Sequence, residues 1–201
     1  MPTAEWLAWS VQMDSQGVHL LLWREKDELV RALVVFLASV GDVPTQPILL
    51  ASADQAAGDL RRIFEAQTPS PAAQTEEGDV LAHKRDHLLV LFLQQATSST
   101  IGPWLNGWRN ELAKSPGALL VVRNADYMDF QRNAPDLASY VGPKIYDCVS
   151  LLSMWSEKTA ANLRPSVPDP YVNVLRELPG EFPSVNEIES WIRHHAPSSD
   201  D

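Results

Sequence analysis

Five short apolar runs, at Val18–Trp23, Pro47–Ala51, His87–Leu93, Gly117–Arg123 and Asp147–Ser153, constrain this chain more than any other feature. They are apolar at consecutive rather than alternate positions. Strands buried on both faces require that pattern, and it belongs to parallel sheets with helices on each side. Between the runs the spacing turns helical. Leu29, Val30, Leu33, Phe36, Leu37 and Val40 make one stripe across Asp27–Val40; Ala56, Leu60, Ile63 and Phe64 make a second; Ile101, Trp104, Leu105, Trp108 and Leu112 make a third. Strand and helix alternate, so the expected fold class is α/β, a three-layer sandwich around a mostly parallel five-stranded sheet. In the interval Met128–Val141, Pro135 suits a first helical turn, which predicts an irregular stretch and then a short helix from near Ala134.

The chain divides into an N-terminal flank (1–17), the sandwich (18–155) and a proline-rich strap (156–201). With 201 residues, 45% of them hydrophobic, it can bury one core. Thr68–Asp86, with its prolines, small polar residues and acidic cluster, reads as a mobile insertion before the third strand. In the strap, Ser184 and Glu187 form a capping box ahead of an amphipathic segment with Ile188, Trp191 and Ile192. Deletion of Arg164–Asp201 is expected to leave the sandwich folded but weaken association, and the acidic end Ser198–Asp201 is expected to fray.

Charge and motifs narrow the chemistry. A net charge of −10 without a basic patch argues against nucleic acid or an anionic membrane as partner. No apolar run approaches the roughly 20 residues that span a bilayer, and Glu5 interrupts any secretory h-region. The single cysteine, Cys148, excludes an internal disulfide and fits a reducing compartment, so the cytoplasm is expected. Arg24-Glu-Lys-Asp27 follows the first strand without a glycine, so neither a P-loop nor a dinucleotide fingerprint is present. Gln94 and Gln95 end the third strand where Mg²⁺ coordination would need carboxylates. His83 and His87 have metal-pair spacing, but the second opens a strand and no third ligand is near. His194 and His195 suit a helix end, and Cys148, inside the fifth run, reads as a small buried hydrophobe. No nucleophile elbow is present. No cofactor or metal is expected.

The segment Val18–Ser153 resembles degenerate, P-loop-less relatives of STAND-type ATPase domains, which precede tetratricopeptide or effector modules in bacterial conflict and signalling proteins. Three motifs carry the resemblance: Leu21–Val30, where a first strand runs straight into a helix; Leu105-Asn106-Gly-Trp-Arg109-Asn-Glu-Leu112; and Ala134-Pro135-Asp136-Leu137. It implies a Rossmann-like or P-loop-NTPase-like sandwich that has kept the ATPase scaffold and lost catalysis. Arg123 would then stand where active relatives hold a sensor arginine.

These readings converge on a non-catalytic docking or regulatory module that binds a partner protein or itself. The seven tryptophans divide by location. Trp23, Trp104 and Trp108 fall in core elements, whereas Trp6, Trp9, Trp155 and Trp191 lie in the flanks and are the expected interaction residues. An alternative is nucleotide binding without hydrolysis at the strand ends, through Arg24, Lys26, Asp54, Arg123 and Asn124. A weaker one is a metal-independent hydrolase with Asp126 or Asp54 as base. Asn106 and Arg109, polar residues in an apolar helix, either fix loop backbone or contact a partner, and the structural role is favoured. Asp136 is expected to serve as a helix cap.

Overall fold

Long apolar strands with no polar face must be covered twice, and the chain does this with helices of two origins. A computed structural model describes residues 4–13, 17–66, 87–94, 98–113, 117–142, 144–152 and 155–195. The elements are α1 (Ala4–Met13), β1 (Val18–Trp23), α2 (Lys26–Val40), β2 (Thr45–Leu50), α3 (Ala53–Ala66), β3 (Leu88–Leu93), α4 (Ser98–Leu112), β4 (Ala118–Arg123), α5 (Tyr127–Asn133), α6 (Pro135–Val141), β5 (Ile145–Asp147), α7 (Cys148–Leu151), α8 (Glu157–Asn162), α9 (Asp169–Arg176) and α10 (Val185–His195). The strands form one sheet of order β2-β3-β4-β1-β5 in which every pairing is parallel. Insertion 68–86, with His83, lies outside the described residues, as do Gln95 and Ser198–Asp201.

Strand alternation sorts the core into two clusters. Leu20 and Leu22 of β1, Leu89 and Leu91 of β3 and Leu120 and Val122 of β4 face Ile101 and Leu105 of α4, Phe130 of α5 and Leu137 of α6. Leu21, Trp23, Val90, Phe92 and Val121 face the other way, onto α2. That second layer also takes Ala4, Leu7 and Ala8 of α1 and Leu163, Val167, Tyr171, Leu175, Leu178, Ile188 and Trp191 of the strap. Flank and strap are therefore core, not appendages. Removing residues 164–201 takes away six of these strap side chains and forfeits on the order of 10 kcal/mol at ~1.5–3 kcal/mol each, as much as a domain's whole net stability. The expectation of a dispensable strap is corrected on that ground.

Two further local expectations are corrected. The fifth run is not one strand over Asp147–Ser153. Pairing with β1 stops at Asp147, whose carboxylate accepts a hydrogen bond from the Val149 N–H at 2.9 Å and so starts α7. Cys148 thus opens a helix rather than sitting in a strand, though it is fully buried as expected. Residues 127–133 are helical rather than irregular. A break at Ala134 (φ −129°, ψ 57°) separates α5 from α6, and Pro135 opens α6.

At the amino end of the sheet β1 and β4 come very close. The Ala118 N–H donates to the Gly17 carbonyl at 2.6 Å, and a Cβ on Gly117 would overlap that same oxygen. Only glycine fits there.

Candidate functional site

In a parallel α/β sheet the carboxyl ends of the strands are where side chains from different elements converge. Here β1 leads to α2 on one face and β4 leads to α5 and α6 on the other, so the two central strands diverge at Trp23 and Arg123, which are register partners. Arg24, Lys26, Arg123 and Asn124 are brought to this point. Asp54 is not: it follows β2, three strand spacings of about 4.8 Å from β1.

Two of the three cations at this point engage neighbours and the third is buried. Arg24 pairs with Asp147 of β5 at 3.5 Å. The Arg123 guanidinium lies 5.7 Å over the Trp23 ring. Lys26 is 4% exposed, and burial pulls its ammonium below the ordinary lysine value. The strap crosses above it. Gly180 adopts φ +104°, and a Cβ there would sit 3.2 Å from the Lys26 Cβ. Gln94, at the end of β3, donates its amide N–H to the Glu177 carbonyl at 3.1 Å. Strap backbone thus lies where a ligand over α2 and β3 would lie. Asn124 opens a 3₁₀ turn, Asn124–Asp126, into α5. Burial raises the Asp126 carboxyl, and Asp129 adds to this while Arg123 opposes it.

Asn106, Arg109 and Asp136 form a helix-joining cluster. The Asn106 carbonyl accepts from the Leu137 N–H at 2.8 Å, while its amide donates to Asp136 at 2.8 Å and Arg109 donates to the same Asp136 oxygen at 3.1 Å. Two donors and a helix amino end meet one carboxylate, which fixes α6 on α4. Asn106 and Arg109 thus have the structural role expected of them, but Asp136 does not cap α6 as expected: it accepts from the two side chains of α4, and the helix N–H at Leu137 is satisfied by Asn106. The Ser184–Glu187 capping box is present as well, with the Ser184 N–H donating to Glu187 at 2.7 Å and the Glu187 N–H donating to Ser184 Oγ at 3.3 Å.

The four flank tryptophans split. Trp155 and Trp191 are each only 8% exposed, with ring centroids 5.1 Å apart, and the Arg31 guanidinium lies 5.7 Å over Trp191. They seal α10 onto α2, so their assignment to an interaction surface is corrected. Trp6 and Trp9 are 53% and 55% exposed and stack at 5.0 Å with 27° between ring planes. Trp104 and Trp108, expected in the core, are half-buried and tilted against each other at 5.6 Å.

Helix α1 carries the exposed pair on a fixed support. Ala4, Leu7 and Ala8 are buried, and the Glu5 carboxylate accepts the Ser156 N–H at the start of α8. Burial opposes ionisation of Glu5, but hydrogen bonds from Ser156, Thr159 and its own backbone outweigh it and hold the carboxyl below its ordinary value. Beside this contact a groove of about 820 Å³ runs between α2 and α8, lined by Glu5, Ser39, Thr159, Lys158 and Arg164 among others. It lies by the C-terminal end of α2, away from the strand ends. Sequence reading missed this groove, because it is assembled from three distant segments. Among the described residues no group of three or more His, Cys, Asp or Glu side chains is placed to hold a metal ion, and no helix is long and apolar enough to cross a membrane.

A scan against protein-family models, a search of curated proteins and a search of solved structures each found no match to this chain.

Proposed function

We propose that this chain is a non-catalytic docking module that engages a partner protein through the Trp6–Trp9 face of α1. The observation that carries the reading is the stacked, half-exposed indole pair on a helix whose opposite side is locked into the core. Paired aromatic surface on a rigid support offers large contact area at little entropic cost, the usual character of an interface anchor. The strand ends support the same reading from the other direction, since Arg24 and Arg123 engage Asp147 and Trp23 and Lys26 is buried beneath the strap. The STAND-type resemblance adds a context, a bacterial defence or signalling complex built on an ATPase scaffold without its chemistry.

The test is a W6A/W9A double variant in affinity capture from the source cells. The reading requires a protein that co-purifies with the wild-type chain and is lost with the variant, while both melt at the same temperature. A second reading, nucleotide binding without hydrolysis, rests on the convergence of Arg24, Lys26 and Arg123 at the point where β1 and β4 diverge. Thermal shifts with ATP, GTP, ADP and cyclic nucleotides separate the two. Docking predicts no change, whereas a stabilisation of several degrees that Arg123→Ala abolishes would replace the docking reading.

A further inference from the structure

We propose that the occupant of the Trp6–Trp9 face is a cationic segment of a partner protein, with an arginine stacked on the indole pair. The inference rests on the docking reading above and adds the chemistry of the partner. Area comes first. Two tryptophans about half exposed, at up to ~250 Å² each, offer roughly 270 Å², far below the ~800 Å² per partner of a stable protein–protein interface. A second copy held by this patch alone would not stay bound, and it would bring another −10 of charge to the contact. A short segment can use a patch of this size as its anchor.

Charge then selects the segment. Helix α1 carries a single charged residue, Glu5, which its hydrogen bonds keep ionised, and the chain as a whole is acidic. Long-range attraction therefore steers basic rather than acidic chains toward the molecule. At contact, the indole face is the side-chain surface that best attracts a guanidinium. The protein uses that chemistry itself, with Arg31 over Trp191 and Arg123 over Trp23, each at 5.7 Å. The neighbouring groove, reached through Glu5 one helical turn from Trp9, is lined by Lys158 and Arg164 and by the carboxylates Glu5 and Asp42, so its charges balance. It offers a run of cations no net attraction, and the indoles remain the feature that selects an arginine.

The experiment titrates ¹⁵N-labelled protein with four peptides of equal length, Gly-rich and bearing two arginines, two lysines, two leucines or two glutamates, at low and moderate salt. The expected result is saturable movement of the Trp6 and Trp9 indole N–H signals with the arginine peptide. Binding should be several-fold weaker for lysine, weaker again as salt rises, and reduced at least about tenfold in W6A/W9A. Equal binding of the arginine peptide to W6A/W9A would overturn the proposal, since net charge alone would then explain it. A leucine peptide that moves these indoles while arginine does not would also overturn it, yet leave the docking reading standing. Concentration-dependent dimerisation that W6A/W9A abolishes would show a second copy as the occupant and overturn it too. Failure of docking itself reads out separately, as unchanged partner capture by W6A/W9A.

Discussion

Two tryptophan pairs in this protein have nearly the same ring spacing and opposite fates. Trp155 and Trp191 lie 5.1 Å apart at 8% exposure, and Trp6 and Trp9 lie 5.0 Å apart at more than half. Both pairs come from segments outside the α/β repeat. The difference lies in their companions: Trp191 shares its helix stripe with Ile188 and is backed by Arg31 of α2, whereas on α1 the stripe that faces inward is Ala4, Leu7 and Ala8, which leaves the indoles outside. Aromatic content marks adhesive surface; the neighbouring small and aliphatic residues decide whether that surface is used inside the molecule or beyond it.

The contrast is broken most directly by deletion. Without residues 164–201 the α2 layer loses Tyr171, Leu175, Ile188 and Trp191 together, and the remaining chain is expected to show no cooperative unfolding transition by circular dichroism. Trp191→Ala should cost about 3–5 kcal/mol in urea denaturation, the range for emptying an aromatic core site. Glu5→Gln should cost roughly 1–2 kcal/mol at neutral pH, because a charged acceptor for the Ser156 N–H becomes a neutral one. Its pH dependence follows from the lowered carboxyl. The stabilisation is present above the ordinary glutamate value and is lost as pH falls through the folded-state value, so wild type and variant should converge on acidification. Asp136→Ala should cost about 1 kcal/mol by removing the shared acceptor of Asn106 and Arg109 at the start of α6. W6A/W9A should change stability by no more than about 0.5 kcal/mol, the behaviour of surface side chains, and a loss as large as that of Trp191→Ala would erase the distinction between the pairs.

Much of the sheet was legible because buried parallel strands advertise themselves at every position. Val18–Trp23 is the strand that its apolar run predicts, and Leu88–Leu93 differs by one residue. The fifth run was misread because Cys148-Val-Ser-Leu151 is too short for periodicity to separate helix from strand, and a single carboxylate, Asp147, decides it. Asn106, Arg109 and Asp136 were legible as structural residues from their types and setting. The burial of Trp155 and Trp191 was not, because it depends on where a proline-rich strap returns after 160 residues, and local sequence holds no record of that path. The Gly180 crossing over Lys26 was hidden for the same reason, with Gly180 giving no local sign that its positive φ serves a crossing over another element.

The α2 layer of the core is assembled from α1 and α2 at the beginning and from α9 and α10 near residue 195. On a ribosome, the opposite layer has all its helices once residue 141 has emerged, while the α2 layer still lacks α9 and α10, and Phe92 lacks Tyr171, which packs edge-on against it at 6.2 Å. The nascent chain therefore carries a sticky, half-finished sheet until the last helices emerge, and its yield in cells should depend on holding chaperones far more than the stability of the finished molecule suggests.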